Sequence, residues 1–249
     1  MTKENCILVS IITVAYNSEK TIKKTIESVL NQNYTKIQYI IKDGKSADNT
    51  VKIAERYIDQ FKEKGIEYLI ISDTDNGIYD GMNTGIKYAK GEIVGLINSD
   101  DWYETDAVQK VVQCYQKEKF DLFYADTRIV KKDKTIIKHV RLRNYITTRD
   151  WSHPSTFIKR DIYNKFQYKC ESIYDDFDLV LRIRKSNYKV VILNEVIANF
   201  GWGGVSNEKN FKKAMQRARQ RFQIYLNNGY SRLYFFECYG HEFFKYLLS

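Results

Sequence analysis

Ile93-Val94-Gly95-Leu96-Ile97-Asn98-Ser99-Asp100-Asp101 climbs through an apolar run and stops on an amide, a hydroxyl and two acids. A short apolar run of this length reads as a buried strand. Its acids then stand at the carboxyl end, where open α/β sheets bind ligands. Two adjacent carboxylates repel each other unless a positive charge lies beside them. A hard divalent cation that also holds a diphosphate meets that need, since Mg²⁺ takes one or two carboxylates and fills its shell with phosphate oxygens. A strand end with solvated acids and a helix cap would look the same in sequence.

Upstream of this stretch the chain alternates strand and helix. Residues 8–14 are apolar and read as a central strand, ended by Ala15-Tyr16-Asn17-Ser18. Ile22, Ile26, Val29 and Leu30 recur at helical spacing. Residues 37–41 form a second strand. Asp48 or Thr50 can cap the next helix, whose inner face is Ala54, Tyr57, Ile58 and Phe61. Residues 68–71 form a third strand. This βαβαβ order implies a parallel sheet with right-handed crossovers. A helix follows with Ile78, Met82, Ile86 and Ala89 on one face. Gly81 and Gly85 lie four apart within it, allowing a close backbone approach to a strand or ligand. No G-x-G-x-x-G and no P-loop pattern occurs, so a dinucleotide fold and a P-loop lose support.

The 249 residues suffice for one large α/β domain with a sizeable core. A net charge of +9 favours anionic partners: phosphates, an acidic membrane surface or nucleic acid. The single proline argues against disordered linkers. Cys6, Cys114, Cys170 and Cys238 have no zinc or C-x-x-C spacing, so reduced thiols in a cytoplasmic protein are expected. Lys3 and Glu4 lead straight into a strand, so no signal peptide is expected, and no apolar run reaches the ~18 residues of a membrane span.

Asp43 is a lone acid at the end of the second strand. As a hydrogen-bond acceptor it suits the imide N–H of uracil, thymine or guanine, though an Asp-Gly turn needs no such partner. Downstream, Thr105-Asp106 can cap a helix with Val108, Val111, Val112 and Tyr115 inside. Residues 122–126 form a strand, and the basic residues 127–145 a hairpin. His153, a lone histidine without ligand partners, is expected to be structural rather than an acceptor or phosphate contact. Tyr174-Asp175-Asp176-Phe177-Asp178 opens an amphipathic helix, and acids there suit the helix dipole. Phe200-Gly201-Trp202-Gly203-Gly204 is a glycine loop whose tryptophan suits either a sugar face or the core.

Residues 208–249 carry eight Lys/Arg against three Glu. Phe211, Met215, Ala218, Phe222 and Tyr225 mark one helix face, and an aromatic helix follows Gly229. A basic, aromatic amphipathic pair suits a membrane surface. It suits equally well packing on the domain or forming a homodimer.

Several spaced motifs agree in order: Val9-Ser10-Ile11-Ile12-Thr13-Val14-Ala15-Tyr16-Asn17, Ser28-Val29-Leu30-Asn31-Gln32, Asp43-Gly44 with Ser46, Asp48 and Thr50, Asn76-Gly77-Ile78-Tyr79-Asp80-Gly81-Met82-Asn83, and Asn98-Ser99-Asp100-Asp101. Together they resemble a family 2 glycosyltransferase, closely over residues 6–105. The resemblance implies a GT-A fold, a mostly parallel α/β sheet flanked by helices, here with a C-terminal helical appendage. It implies a nucleoside-diphosphate-sugar donor (a UDP-sugar), a divalent metal (Mn²⁺ or Mg²⁺) and inversion at the anomeric carbon. Thr13, Tyr16 and Asp43 would line the nucleoside pocket, with Asp75 and Asn83 closing it. The family's D-x-D reads Asn98-Ser99-Asp100 here. The amide can coordinate through its carbonyl or bind ribose but brings no charge, so Asp100 becomes the main metal ligand, assisted by Asp101. Asp176 matches the catalytic base.

The expected organisation is a GT-A domain over 1–207, with a nucleotide-sugar half (1–105) and an acceptor half (106–207), then a tail over 208–249. The expected acceptor is a hydroxyl of a glycan or lipid-linked glycan in cell-surface polysaccharide or glycolipid assembly, at the inner face of the membrane. Nucleotidyl transfer on a similar fold is the nearest alternative. Nucleic-acid binding would explain the basic tail but not acids at strand ends, which repel phosphates unless a metal intervenes, so no nucleic acid is expected.

Overall fold

The computed structural model describes residues 6–132, 134–201 and 210–248. Three βα units open the chain: β1 (Val9–Ala15), α1 (Ile22–Leu30), β2 (Ile37–Asp43), α2 (Thr50–Glu55), α3 (Ile58–Glu63), β3 (Glu67–Ser72), α4 (Ile78–Lys87) and β4 (Ile93–Asn98). The four strands are parallel in the order β3-β2-β1-β4. Ala15 pairs with Asp43, Val14 with Asn98 and Asp43 with Ser72, so the polar ends of all four reach one edge.

The expected helix over residues 50–61 is two short helices. Tyr57 N–H bonds Ala54 O, a tight three-residue return that keeps Tyr57 and Phe61 inside and turns Ile58 to solvent. The close approach expected of the α4 glycines is present. A methyl on Gly85 would lie 2.6 Å from Ile12 Cγ2 of β1, and one on Gly81 would lie 3.1 Å from the Asp75 carboxylate.

The second half extends the same sheet. It comprises β5 (Trp102–Tyr103), α5 (Ala107–Glu118), β6 (Leu122–Val130), β7 (Thr135–Lys138), β8 (Phe157–Lys159), α6 (Arg160–Tyr163), α7 (Asp175–Lys185) and β9 (Val190–Gly201). β8 joins β4 to β6, antiparallel to both, and the basic hairpin is β6 turning into β7. Val108, Val111, Val112 and Tyr115 of α5 are buried. Asp106 does not cap that helix with its side chain; Gln32 Oε1 accepts the Val108 N–H at 3.0 Å instead, and Asp106 pairs with Lys110.

Strand alternation splits the core over the two sheet faces. Val9 and Ile11 pack with α1, α3 and α5, through Ile26, Phe61 and Val111. Ile12 and Val14 pack with α4 and α7, through Met82 and Leu181. This second core also holds Tyr225 of α8 (Phe211–Asn227) and Tyr234 and Cys238 of α9 (Tyr234–Leu248). The helical appendage therefore shares the domain's core.

The expected inner face of α8 needs correction. Ala214, Ala218, Arg221 and Tyr225 are buried, while Phe211 is exposed. Arg221 is drawn inward by α9: one guanidinium nitrogen bonds Cys238 O at 2.9 Å, and Glu237 and Glu242 lie within 3.8 Å. A charge paired in this way can occupy a core position.

Gly95 marks the join between the two halves of the sheet. It faces Phe157 across β4 and β8, and a methyl there would meet the ring 2.4 Å away. Overpacking a central strand costs roughly 1–3 kcal/mol. Urea denaturation of Gly95→Ala should show a loss in that range, with the slope unchanged.

Candidate active site

The loops after β1 and β2 are laced together by polar side chains. Ser46 Oγ accepts from the Asn17 amide, Asp48 from the Glu19 amide and Thr50 Oγ1 from the Ser18 amide. Asp43 is fully buried and accepts from the Ser46 amide at 2.9 Å, the Ser46 hydroxyl and the Ser72 hydroxyl at 2.7 Å. Beside it Tyr16 stands 68% exposed over this edge. Asp75 accepts from the Gly77 amide and pairs at 3.0 Å with Lys42.

Lys42 escaped the sequence analysis. It is buried within β2, and its ammonium also donates to the carbonyls of Asp43 and Asp73. In sequence it followed the expected strand 37–41, and the structure carries β2 on to Asp43.

Two of the expected nucleoside residues point elsewhere. Thr13 is fully buried, its hydroxyl 3.0 Å from that of Tyr39. The Asn83 amide exchanges hydrogen bonds of 2.8 and 3.1 Å with the backbone of Tyr168.

The acidic stretch occupies the neighbouring strand end. Ser99 Oγ lies 2.7 Å from Ser18 Oγ. Asn98 Oδ1 is buried without a hydrogen-bond partner among the described residues. Burial raises Asp100 above the usual carboxylate range. Asp101 is raised further, by burial and then by the charge of Asp100. One Asp101 oxygen accepts from the Gly201 amide at 3.0 Å, and the other is buried and unpartnered. Two desolvated carboxylates and an orphaned amide carbonyl form a hard oxygen donor set and fit a divalent cation. No cluster of three or more metal-ligating side chains occurs among the described residues.

A cleft of about 1010 Å³ runs from Asn98 to the start of α7. Tyr79, Lys138, His153 and Asp176 line it, and Arg217 of α8 stands on its wall. The three acids in the first turn of α7 have different surroundings. Asp175 accepts from the amides of Glu171 and Ser172 at 2.8 and 2.9 Å. Asp178 holds Arg182 Nε at 2.7 Å, Asn228 Nδ2 at 2.7 Å and Lys169 at 3.2 Å. Asp176 alone of the three lines the cleft. Burial raises its pKa, and hydrogen bonds from the Phe177 amide and the Tyr79 hydroxyl offset part of that rise.

His153 was expected to be structural. Its Nδ1 lies 3.5 Å from Asp176 Oδ2, and burial lowers its pKa, so it is neutral near pH 7. Sequence could not pair it with an acid 23 residues away. Phe200 and Gly201 of the expected glycine loop end β9, and the rest of it, with Trp202, lies outside the described residues.

The family model described as glycosyl transferase family 2 matches residues 10–175. The chain belongs to that family. This family 2 glycosyltransferase is 23% identical over 234 residues to the UDP-Glc:alpha-D-GlcNAc-diphosphoundecaprenol beta-1,3-glucosyltransferase WfgD of Escherichia coli, covering 92% of this chain and 90% of WfgD. It is 28% identical over 185 residues to the chondroitin synthase of Escherichia coli, covering 71% of this chain but only 26% of that longer protein. Among solved structures it resembles S. aureus TarS 1–349 in complex with UDP-GlcNAc, at 16% identity and a TM-score of 0.68, over 97% of this chain and 73% of that one. It also resembles the mannosyltransferase PcManGT from Pyrobaculum calidifontis in complex with GDP-Man and Mn²⁺, at 16% identity and a TM-score of 0.68, over 89% and 64%. The fold is GT-A.

The surroundings of the α7 acids predict opposite effects on stability. Asp178→Asn strips a buried charge from three partners and should cost about 1–3 kcal/mol. Asp176→Asn replaces a desolvated carboxylate with a neutral amide and should leave stability unchanged or slightly raised. Thermal melts of the two variants check this.

Proposed function

We propose that this glycosyltransferase moves a sugar from a UDP-sugar to a hydroxyl of a glycan or lipid-linked glycan, with inversion. The observation that carries this is one cleft lined by both Asn98, at the acidic strand end, and Asp176, a carboxylate of raised pKa. The donor names of WfgD and the UDP-GlcNAc complex of TarS support UDP. The Mn²⁺ complex of PcManGT supports a metal.

In this proposal Tyr16 and Asp75 border the nucleoside, with Asp43 shaping the loop beneath it. Thr13 and Asn83 act from behind, through Tyr39 and the Tyr168 segment. Asn98 and Ser99 face the ribose and phosphates. Asp100, assisted by Asp101, would hold Mn²⁺ or Mg²⁺. When bound, the cation supplies charge neutralisation for the departing diphosphate. Asp176 takes the acceptor hydroxyl's proton as the oxygen attacks from the side opposite the leaving group.

Incubation with a UDP-sugar panel and Mn²⁺ should release UDP; release of pyrophosphate would instead indicate nucleotidyl transfer. NMR of the product should show the anomeric configuration inverted, and retention would sink the mechanism. Asp176→Asn should bind UDP normally yet lose on the order of 10²–10⁴ in turnover, a typical cost of removing a general base. The base works ionised, so activity should rise with pH through the Asp176 pKa. Because that pKa is raised, the acid limb should lie above the ordinary aspartate value of about 3.9 and vanish in Asp176→Asn.

We also propose that the enzyme works in the cytoplasm, at the inner face of the membrane. No helix among the described residues is long and apolar enough to cross a membrane. Phe236, Phe244 and Leu247 of α9 are 72%, 63% and 59% exposed. An aromatic face on a basic segment suits anionic lipid. Co-sedimentation with phosphatidylglycerol vesicles should fall as salt rises and weaken in Phe236→Ser/Phe244→Ser. A salt-independent dimer by light scattering, with no vesicle binding, would assign this face to a second copy of the chain.

A further inference from the structure

The acceptor side of the cleft contains a cation that the reaction proposed above does not use. Lys138 is the last residue of β7. The three residues before it are exposed, whereas Lys138 turns inward and lines the cleft with Asp176. Its ammonium donates to the Thr148 carbonyl at 3.0 Å, a neutral partner. Among the described residues no carboxylate oxygen lies within salt-bridge distance of it.

The neighbouring charges are differently placed. Arg217 on the α8 wall is paired with Glu242 at 3.0 Å. Lys42, at the nucleotide end, is paired with Asp75 at the same distance. A desolvated ammonium lacking a counter-ion is costly. Burial lowers the Lys138 pKa to about 8, with the charges of Asp176 and then Asp150 opposing the shift. Such a group inside a cleft points to a functional role.

The segment that carries it is basic in sequence as well. Residues 127–145 contain Arg128, Lys131, Lys132, Lys134, Lys138, Arg141 and Arg143 against a single acid, Asp133. An anion reaching Lys138 would approach a segment of net positive charge.

We propose that Lys138 binds an anionic group, a phosphate or a carboxylate, carried by the acceptor near the hydroxyl that receives the sugar. This rests on the glycosyl-transfer proposal, because it uses Asp176 to define the acceptor side. Lys138 senses the charge of Asp176, the residue that receives the acceptor's proton, whereas Tyr16, Asp43 and Asp75 at the nucleotide end do not line this cleft. The acceptor thus meets a carboxylate that takes its proton and an ammonium that holds its charge.

The test uses the full chain loaded with UDP and Mn²⁺, so that the nucleotide end is filled. Binding of N-acetylglucosamine 1-phosphate is compared by calorimetry with methyl α-N-acetylglucosaminide, and methyl β-glucuronide with methyl β-glucoside. One anionic ligand should bind at least tenfold more tightly than its neutral counterpart, and which one does so identifies phosphate or carboxylate. Lys138→Met should abolish that preference, Lys138→Arg should keep part of it, and UDP affinity should stay within twofold in both. Equal binding of charged and neutral ligands overturns the proposal. So does a preference that survives Lys138→Met, or a Lys138→Met defect confined to UDP-glucuronate relative to UDP-glucose, which would place the anion on the donor. Failure of glycosyl transfer itself would appear separately, as no UDP release from any donor.

Discussion

Four parallel strands ending at one edge create an electrostatic problem that the rest of the molecule answers. The register of β3, β2, β1 and β4 brings Asp43, Ser72 and Asn98 to the same line, with Asp75, Asp100 and Asp101 just beyond. Carboxylates crowded on a low-dielectric surface repel one another unless each gains donors or a cation. At the β2 end the protein supplies the donors itself. Ser46 and Ser72 satisfy Asp43, and Lys42 neutralises Asp75 from inside the strand. At the β4 end it supplies only the Gly201 amide, to one oxygen of Asp101. Asp100 and Asp101 have no basic side chain in contact among the described residues, and that asymmetry makes the β4 end the one where a cation would offset charge.

The same contrast recurs on the acceptor side. Three acids share the first turn of α7, yet two are committed to structure: Asp175 fastens the preceding loop, and Asp178 ties α7 to Arg182, Lys169 and the end of α8. Those anchors hold the helix start rigidly and leave Asp176 facing the cleft, desolvated and close to a neutral imidazole. The appendage takes part too. The buried Arg221–Glu237–Glu242 cluster locks α9 onto α8, and α8 in turn walls the cleft through Lys213, Gln216 and Arg217. Removing the last forty residues would expose both a core and a substrate wall.

Much of this was legible in the chain. Apolar runs of strand length and helices with repeating faces specify βαβαβ because side-chain period follows backbone geometry. The family motifs carried the site, since polar residues at strand ends recur at fixed spacing. Failures came where polarity misled. Arg221 counted as surface and rotated the expected face of α8. Ile58 counted as core although a tight turn at Tyr57 ejects it. Lys42 was passed over because the expected strand stopped at Ile41, and His153 was taken as structural.

By itself the sequence determined the parallel first half, the polar strand ends and the candidacy of Asp43, Asp100 and Asp176, all of which depend on neighbours within one element or on motif order. Only the tertiary structure decided which acids are spent on structure and which face the cleft. It alone set His153 against Asp176, turned Lys138 toward the same space and brought α8 to the cleft wall. Those outcomes depend on desolvation and on charges contributed by other elements, and a linear string of residues carries neither distance nor burial.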